Sequence, residues 1–156
     1  MRLEQAEKLA EQFIHEIATY CKKIEIVGSI RRRKTECRDI DLIILSKPEQ
    51  LWNFTLKLKR ISKINVNGKQ VKRVVYKDEQ FDLYFATPET WGALVLIRTG
   101  SMSHNIKLST IALRKGMKLT HHGLVKRGEE GKILVSTEEG IFEALDLSYV
   151  PPEERQ

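Results

Sequence analysis

Residues 28–41 are the segment that most constrains what this chain can fold into. An apolar run over Ile24–Val27 precedes the segment and predicts a strand, and Leu42–Leu45 behind it predicts a second, buried strand. Gly28 and Ser29 therefore lie where a strand gives way to a helix. The start of a helix presents unpaired backbone N–H groups and the positive end of the helix dipole, an arrangement that suits phosphate.

Two aspartates close this segment. Asp39 and Asp41 are two residues apart as the chain enters the second strand, so both side chains are expected on one face of the sheet. Carboxylates held side by side repel each other and tend to take up a proton unless a divalent cation neutralises them. A phosphate-binding turn beside a pair of metal-binding carboxylates indicates nucleotide chemistry.

A third aspartate falls in a later apolar segment. Residues 80–86 predict a strand that carries Asp82, although aspartate is unfavourable in strand interiors. The chain contains five aspartates, and three of them lie in or beside apolar strands, where an unpaired carboxylate is costly. One such residue could be a satisfied polar group of the core, but three predict a shared metal site formed by Asp39, Asp41 and Asp82.

The pattern of the whole chain predicts an α+β fold. Residues 3–20 show apolar positions at helical spacing, and residues 48–57 predict a second helix. Asn67-Gly68, between two alternating segments, predicts a two-residue hairpin turn. These elements describe a mixed sheet with helices on one face.

A boundary at 87/88 separates this part from a smaller α+β unit. The elements predicted in the second part are helices over 89–97 and 101–116, short strands near 117–119, 124–126 and 133–135, and a last helix that begins with a capping box of Ser136 and Glu139. The sequence contains no internal repeat and no low-complexity tract.

Composition bounds the class of protein. The apolar fraction of the 156 residues is 41%, enough for a core, and no apolar run reaches the length of a membrane helix. The N-terminal segment lacks the apolar stretch of a signal peptide, and Cys21 and Cys37 form neither a metal-ligand pattern nor a disulfide framework. An intracellular location, cytoplasmic or nucleoid-associated, is therefore expected, with a viral source left open.

The net charge of +6 is compatible with a polyanionic partner but does not by itself establish one. Residues 57–77 include eight Lys or Arg and no acidic residue. The simpler interpretation is a solvated hairpin face, and the more specific one is a surface that follows DNA phosphates through Lys69, Lys72 and Arg73. Strand alternation puts Lys69 and Arg73 in one set of positions and Lys72 in the other.

The sequence resembles the family X DNA polymerases, the polymerase beta-like nucleotidyltransferases. The residues that carry the resemblance are Gly28-Ser29-Ile30-Arg31-Arg32, Asp39-Ile40-Asp41, Phe81-Asp82-Leu83, and Thr99-Gly100-Ser101 with Asn105. Gly-Ser followed by Asp-x-Asp is shared by many nucleotidyltransferases, whereas the arginine pair and the Thr-Gly-Ser segment narrow the likeness to polymerases. The resemblance implies a nucleotidyltransferase palm domain over 1–87 and a C-terminal nucleotide-binding, or thumb, subdomain over 88–156.

The resemblance also implies a role for each matching residue. Asp39 and Asp41 would bind two Mg²⁺ ions, for which Mn²⁺ can substitute, and Asp82 would complete the catalytic site and help to deprotonate the primer 3′-hydroxyl. The other matching positions are implied to bind the nucleotide: Gly28, Ser29, Arg32 and the backbone of Arg38 at the triphosphate, and Thr99, Gly100 and Asn105 at the sugar and the minor-groove edge.

Some positions depart from the family pattern. Ile97-Arg98 stand where the family often has an aromatic pair that helps to exclude ribonucleotides, so sugar discrimination stays open. Gln80 stands where polymerase beta has an arginine near the primer phosphate. We expect neither the family's lyase domain nor its helix-hairpin-helix anchors ahead of the palm. No lyase activity is therefore expected, and the basic surface of the palm is expected to hold DNA in a salt-dependent way.

These inferences predict a template-directed DNA polymerase that adds dNTPs to a primer 3′-hydroxyl by two-metal phosphoryl transfer, in short-gap repair of low fidelity. Its expected partners are gapped or primer–template DNA and dNTP, with no membrane, and a monomer is expected. One alternative is a nucleotidyltransferase that acts on a non-template acceptor, such as an RNA end, a protein or a small molecule. Thr99-Gly100-Ser101 and Asn105 favour the polymerase over that alternative. A catalytically inactive nucleic-acid-binding module is disfavoured because the three aspartates are retained.

Overall fold

The computed structural model describes residues 1–47 and 60–156, which form two compact units, Met1–Ala86 and Thr87–Gln156. Each unit has its own cluster of buried apolar side chains. The boundary predicted at 87/88 lies beside this division, and the helix predicted over 48–57 lies outside the described residues. Both units combine helices with sheet, so the α+β class predicted from the sequence is confirmed.

The first unit is built on a five-stranded mixed sheet. Its elements in chain order are α1 (Leu3–Ile17), a short 3-10 turn (Ala18–Tyr20), β1 (Cys21–Ile26), α2 (Gly28–Arg31), β2 (Ile40–Ser46), β3 (Ile61–Asn67), β4 (Val71–Tyr76) and β5 (Glu79–Phe85). The strand order is β1-β2-β5-β4-β3. Strands β2 and β5 are parallel, and the other neighbouring strands are antiparallel.

The apolar face of α1 covers one face of this sheet. Ala6, Ala10, Phe13 and Ile17 are fully buried together with side chains of the strands, as the helical spacing predicts. The ring centroid of Phe13 lies 4.4 Å from that of Phe81 in β5. Because side chains alternate along a strand, the residues between these core positions point to the opposite face of the sheet. That opposite face carries the polar residues of the candidate site.

The hairpin predicted at Asn67-Gly68 forms between β3 and β4, but its loop is longer than predicted. Strand β3 includes Asn67, so the loop is 68–70, three residues instead of two. The physical reason is that Asn67 still pairs with Lys72 across the two strands. Within the loop, the Gly68 N–H donates to the Val71 carbonyl at 2.9 Å.

A second hairpin joins β4 to β5 through Lys77-Asp78. Both residues have a left-handed backbone, with φ of 48° and 68°, as in a type I′ turn. The turn pairs Tyr76 with Glu79, and the register then runs residue for residue along both strands. This short turn therefore determines which residue of β4 faces each residue of β5.

The second unit combines three helices with a small antiparallel sheet. Its elements are α3 (Trp91–Thr99), α4 (Met102–Arg114), β6 (Met117–Thr120), β7 (Gly123–Lys126), β8 (Ile133–Val135), α5 (Glu138–Ala144) and a 3-10 turn (Pro152–Glu154). The strand order is β6-β7-β8, which confirms the predicted small sheet. Ala93 and Leu96 of α3 and Leu108 and Ala112 of α4 lie in the core of this unit.

The start of α5 differs from the prediction. The helix begins at Glu138, so Thr137 is the N-cap, and its hydroxyl accepts a hydrogen bond from the Gly140 N–H at 3.1 Å. The capping box predicted for Ser136 and Glu139 is therefore wrong by one position. Within residues 1–47 and 60–156, no helix has both the length and the apolar character needed to cross a bilayer.

Candidate active site

Strand register brings Asp41 and Asp82 side by side. Asp41 of β2 pairs with Asp82 of the parallel strand β5, and Asp82 pairs on its other side with Arg73 of β4. The three residues therefore form a row across three neighbouring strands, on the face of the sheet opposite α1. Asp39 immediately precedes β2, and its charge acts on Asp41. The structure thus places Asp41 and Asp82 side by side, with Asp39 at the entry of the same strand as Asp41, and this row is the centre of the candidate site.

The carboxyl group of Asp41 is strongly affected by its neighbours. The pKa of Asp41 is raised to about 7, chiefly by burial and in addition by the negative charges of Asp39 and Asp82. A hydrogen bond from the Tyr84 hydroxyl to Asp41 Oδ1, at 3.4 Å, and the positive charge of Arg32 act in the opposite direction. A cation among these carboxylates would remove the repulsion and favour the ionised form of Asp41 at neutral pH.

Because Gly28 has no side chain, it leaves room for the carboxylate of Asp41. A Cβ atom at position 28 would lie 2.0 Å from Asp41 Oδ2, a distance no side chain can tolerate. Gly28 also has a φ of +63°, which favours glycine. The Val27 N–H donates to the Asp41 carbonyl at 2.9 Å and holds the two segments together. The sequence therefore requires glycine here because of the carboxylate, in addition to the turn.

The predicted phosphate-binding turn is shorter than expected. Helix α2 spans only Gly28–Arg31, so its dipole contributes little, and the prediction that rested on a helix N-terminus is weakened. Ser29 offers a different feature, since its Oγ is buried and has no hydrogen-bond partner among the described residues. Burial lowers the pKa of Arg32, and the charge of Asp41 opposes that decrease. Arg38 is exposed, next to the row of carboxylates in the sequence.

Arg73 holds Asp82 with two hydrogen bonds. Arg73 Nε donates to Asp82 Oδ1 at 2.7 Å, and Arg73 Nη2 donates to Asp82 Oδ2 at 2.6 Å. Gln80 Nε2 adds a longer bond to Oδ1 at 3.3 Å. The side chain of Asp82 is 4% exposed, whereas that of Arg73 is 41% exposed. Both oxygens of this buried carboxylate are therefore bound by the guanidinium group.

The three residues predicted to contact DNA fall into three different environments. Lys69 lies exposed in the β3–β4 loop. Lys72 is only 2% exposed, because it points to the covered face of the sheet, and this burial lowers its pKa. Its assignment to an exposed phosphate-binding surface is therefore wrong. Arg73 lies on the open face, but it pairs with Asp82 as described above.

Divalent cations fit the donor chemistry of the site, although the full ligand set is not assembled. Among residues 1–47 and 60–156, no group of three or more Asp, Glu, His or Cys side chains is arranged to hold a metal ion. Both oxygens of Asp82 accept hydrogen bonds from Arg73. Asp39 and Asp41 supply the carboxylate oxygens that Mg²⁺ prefers, and their mutual repulsion is the kind that a cation relieves.

In the second unit, the residues predicted to bind the nucleotide differ in burial and in the hydrogen bonds that their side chains already make. Thr99 is fully buried, and its hydroxyl donates to the Val95 carbonyl at 2.6 Å. Gly100 follows α3 with a φ of +70°. Asn105 Nδ2 donates to the Ile97 carbonyl at 2.8 Å, while Asn105 Oδ1 is buried without a hydrogen-bond partner among the described residues.

Sequence reasoning missed two residues of the site. Arg73 was assigned to DNA, and Tyr84 was assigned no role, yet Arg73 binds Asp82 and Tyr84 bonds to Asp41. A signal for Arg73 existed, since a two-residue turn at Lys77-Asp78 places it opposite Asp82. No comparable local signal exists for Tyr84, because its neighbour belongs to a strand that is distant in the sequence.

Comparisons with known proteins bear on both units. A family model described as DNA polymerase beta thumb matches residues 94–156. Repair DNA polymerase X of African swine fever virus (isolate Warthog/Namibia) is 30% identical over 142 residues, which cover 86% of this chain and 82% of the viral protein.

Two solved structures of Leishmania infantum polymerase beta have a similar fold. The one described as a ternary P/T complex aligns with 100% of this chain and 76% of its own, with a TM-score of 0.84 and 21% identity. The one described as a ternary gap complex covers 100% and 70%, with a TM-score of 0.86 and 19% identity. At these identities, the structural likeness concerns the fold.

Proposed function

Because the chain belongs to the family X DNA polymerases, we propose that it is a template-directed DNA polymerase that adds deoxynucleotides to a primer 3′-hydroxyl during the repair of short gaps. The observation that carries the proposal is the register that sets Asp41 against Asp82, with Asp39 at the entry of the same strand. Carboxylates placed in this way have no evident use in the core, because they lie on the face opposite α1.

The family depends on divalent metal ions in general. We assign the ions to Asp39 and Asp41, with Mg²⁺ as the physiological cation and Mn²⁺ as a substitute, and with Asp82 as the third ligand. When bound, such ions stabilise the attacking and the leaving oxygens of an in-line phosphoryl transfer. Asp82 would also accept the proton of the primer hydroxyl, because it is the carboxylate furthest from the phosphate-binding turn along the row.

The remaining nucleotide contacts are proposed for each unit by itself. The Ser29 hydroxyl has an unused hydrogen-bonding capacity and would donate to a phosphate oxygen, together with the guanidinium of Arg32 and the backbone N–H of Arg38. The chain at Gly28 also lies very close to Asp41, which supports a role for this turn beside the carboxylates. In the second unit, the backbone at 99–100 and Asn105 Oδ1 would contact the sugar and the minor-groove edge of the base.

DNA is the proposed macromolecular partner, in line with the P/T and gap complexes of the Leishmania polymerase beta. Lys69 is exposed and remains a candidate for phosphate contact, so DNA affinity should fall as the salt concentration rises. Transfer to a non-template acceptor is not favoured by the relatives, which are named as DNA polymerases. We further propose that the enzyme acts as a monomer with low fidelity.

A gap-filling assay tests the proposed function. Wild-type protein should add the dNTP that is complementary to the template, in the presence of Mg²⁺, to DNA with a one-nucleotide gap. Asp82→Asn should lower the rate by at least about 10³-fold, because the substitution removes a ligand and the proton acceptor together. Asp78→Asn is a matched control, since Asp78 is exposed in the β4–β5 turn and asparagine tolerates its left-handed backbone.

Two outcomes would contradict the proposal. The first is the addition of nucleotides without regard to the template base, which would indicate a transferase that acts on a non-template acceptor. The second is full activity of Asp82→Asn, which would exclude this carboxylate from the reaction.

A further inference from the structure

The pair of Arg73 and Asp82 joins a half-exposed cation to a buried carboxylate. Two oxygens of Asp82 accept two N–H groups of Arg73 in the parallel arrangement that is typical of strong Arg–carboxylate pairs. These oxygens are the same atoms that a divalent cation would need. A guanidinium group bound to both of them takes up part of their lone pairs and brings a positive charge beside them, so it competes with a divalent cation for Asp82.

We propose that Arg73 is a positioning residue that controls whether Asp82 is available to a divalent cation, and that it releases Asp82 when its guanidinium group transfers to a DNA phosphate. The inference rests on the proposed function, because it requires that a cation binds at Asp39 and Asp41. It goes further by assigning to Arg73 a role that links metal binding to DNA binding.

The geometry allows Arg73 to leave without rearranging the sheet. Its side chain is 41% exposed on the open face, so it can rotate toward solvent while β4 keeps its pairing with β5. Lys72, the neighbouring residue, points to the covered face and cannot take its place. Gln80 keeps one hydrogen bond to Asp82 Oδ1 after Arg73 leaves.

Because Asp82 is a buried negative charge, we expect Arg73 to leave it only when a divalent cation takes its place. Asp82 is 4% exposed and lies beside Asp41, so without Arg73 it would be a buried negative charge next to two others. Such an uncompensated charge is strongly unfavourable. Arg73 should therefore leave Asp82 only when a divalent cation arrives, and the arrival is easier when a phosphate binds the departing guanidinium group.

A reciprocal coupling follows from this exchange. If a cation frees Arg73 for DNA, the cation raises the affinity for DNA, and DNA must raise the affinity for the cation by the same factor. Couplings of this kind are typically about 5- to 150-fold. Arg73 would then restrict loading of the third ligand to the protein that has DNA bound.

Calorimetric titration of the metal-free full chain with MnCl₂, without DNA or nucleotide, tests the competition directly. Arg73→Gln should bind Mn²⁺ more tightly than wild type, by about 10-fold, because Asp82 is released. Arg73→Lys should also bind more tightly, since lysine keeps the charge but cannot hold both oxygens at once. Arg33→Gln removes a surface arginine that pairs with Glu7 and should leave the affinity unchanged.

The same measurement in an Asp82→Asn protein shows whether Arg73 acts through its contact with Asp82 or only through its positive charge. Arg73→Gln should have no effect on Mn²⁺ affinity in that background, because the contested oxygens are gone. The inference is overturned if Arg73→Gln binds Mn²⁺ as wild type does, if Arg73→Lys behaves as wild type while Arg73→Gln binds more tightly, or if the effect persists with Asp82→Asn.

Fluorescence anisotropy of gapped DNA, with and without MnCl₂ and with no nucleotide, measures the coupling. Wild-type affinity for DNA should rise at least about fivefold with Mn²⁺, and Arg73→Gln should show little or no rise. An equal rise in both proteins would overturn the link to DNA.

A double substitution, Asp39→Asn with Asp41→Asn, distinguishes the two proposals. If it leaves Mn²⁺ binding intact, the proposed metal site fails and the role of Arg73 fails with it. If it abolishes Mn²⁺ binding while the Arg73 variants match wild type, only the role of Arg73 fails.

Discussion

Two buried carboxylates of this protein are paired with arginine, and the two pairs differ in how the arginine is held. In the second unit, Arg155 is fully buried, donates to Glu138 at 2.6 Å and to the Val150 carbonyl at 2.8 Å, and lies 5.3 Å from the ring centroid of Phe142. In the first unit, Arg73 contacts Asp82 equally closely, but its side chain is 41% exposed.

The difference shows that an arginine–carboxylate pair can either stabilise the fold or allow another cation to replace the arginine. Arg155 is enclosed by aromatic and backbone groups, so removing it would take away the buried cation beside the Glu138 carboxylate. Arg73 has solvent on one side and a row of further carboxylates on the other. The first arrangement stabilises the fold of its unit, and the second is suited to replacement by another cation.

The largest effect on stability should come from the enclosed pair. Arg155→Ala should lower the free energy of unfolding by about 3–5 kcal/mol, because it removes the charged arginine partner of the buried Glu138 carboxylate. Urea denaturation measures the change, and added Mg²⁺ should not restore it. Lys115→Ala is the control, since Lys115 pairs with the exposed Asp146 and should cost less than about 1 kcal/mol. Equal losses in both variants would remove the distinction between enclosed and exposed pairs.

The next effect concerns pH, because the first region holds a carboxyl group with a strongly raised pKa. Asp41 has a pKa of about 7 in the folded protein against 3.8 for the free group, so the folded state binds a proton that the unfolded state does not. This stabilisation is complete below about pH 4 and is lost as pH rises through about 7, by on the order of 4 kcal/mol.

Asp41→Asn should therefore flatten the stability of the metal-free protein between about pH 4 and pH 7. Denaturation at a series of pH values, in the presence of a chelator, measures the slope. If the slope is the same in wild type and in Asp41→Asn, the raised pKa of Asp41 does not contribute to the pH dependence of stability.

A smaller effect should separate the two arginines by their response to metal. Arg73→Gln should destabilise the metal-free protein by about 1–3 kcal/mol, because Asp82 loses its charged partner. Saturating Mg²⁺ should restore most of that loss, since a ligand that binds only the folded state stabilises it. Thermal unfolding with and without Mg²⁺ measures both values. If Mg²⁺ restores Arg155→Ala as well, the contrast between the two pairs is not one of metal exchange.

The smallest effect on stability is expected at Ser29. Ser29→Ala should change the free energy of unfolding by less than about 1 kcal/mol, because the Oγ is buried without a hydrogen-bond partner among the described residues. The same substitution should weaken dNTP binding by about 5- to 10-fold, since the hydroxyl is assigned to a phosphate oxygen. Equilibrium dNTP titration measures the affinity. A marked loss of stability with unchanged affinity would assign Ser29 to the fold instead.

Much of the fold could be predicted from local patterns. The apolar spacing of α1, the strand around Asp82 and the three short strands of the second unit follow from periodicity, which depends only on neighbouring residues. The wrong predictions for these elements concern only where an element begins or ends. Asn67 continues its strand for one residue, and Thr137 takes the cap that Ser136 was expected to provide, because tertiary pairing and packing shift the ends of elements.

The residue types that give the site its chemistry can be read from local patterns in the chain. It places a glycine and a serine at the end of one strand and aspartates at the same face of the next, since strand alternation is a property of the chain alone. The two-residue turn at Lys77-Asp78 also sets Arg73 opposite Asp82, although only the structure made that signal evident.

How these groups act on one another depends on contacts that form only when the chain folds. The parallel pairing of β2 with β5 puts Asp41 against Asp82, and no local signal predicts it, because the two strands are separated by two others in the sequence. Burial in the fold is the main cause of the raised pKa of Asp41, and the charges of Asp39 and Asp82 add to it, while the 41% exposure of the Arg73 side chain leaves that residue free to move. Charge interactions depend on distance and burial, which exist only after the chain has folded.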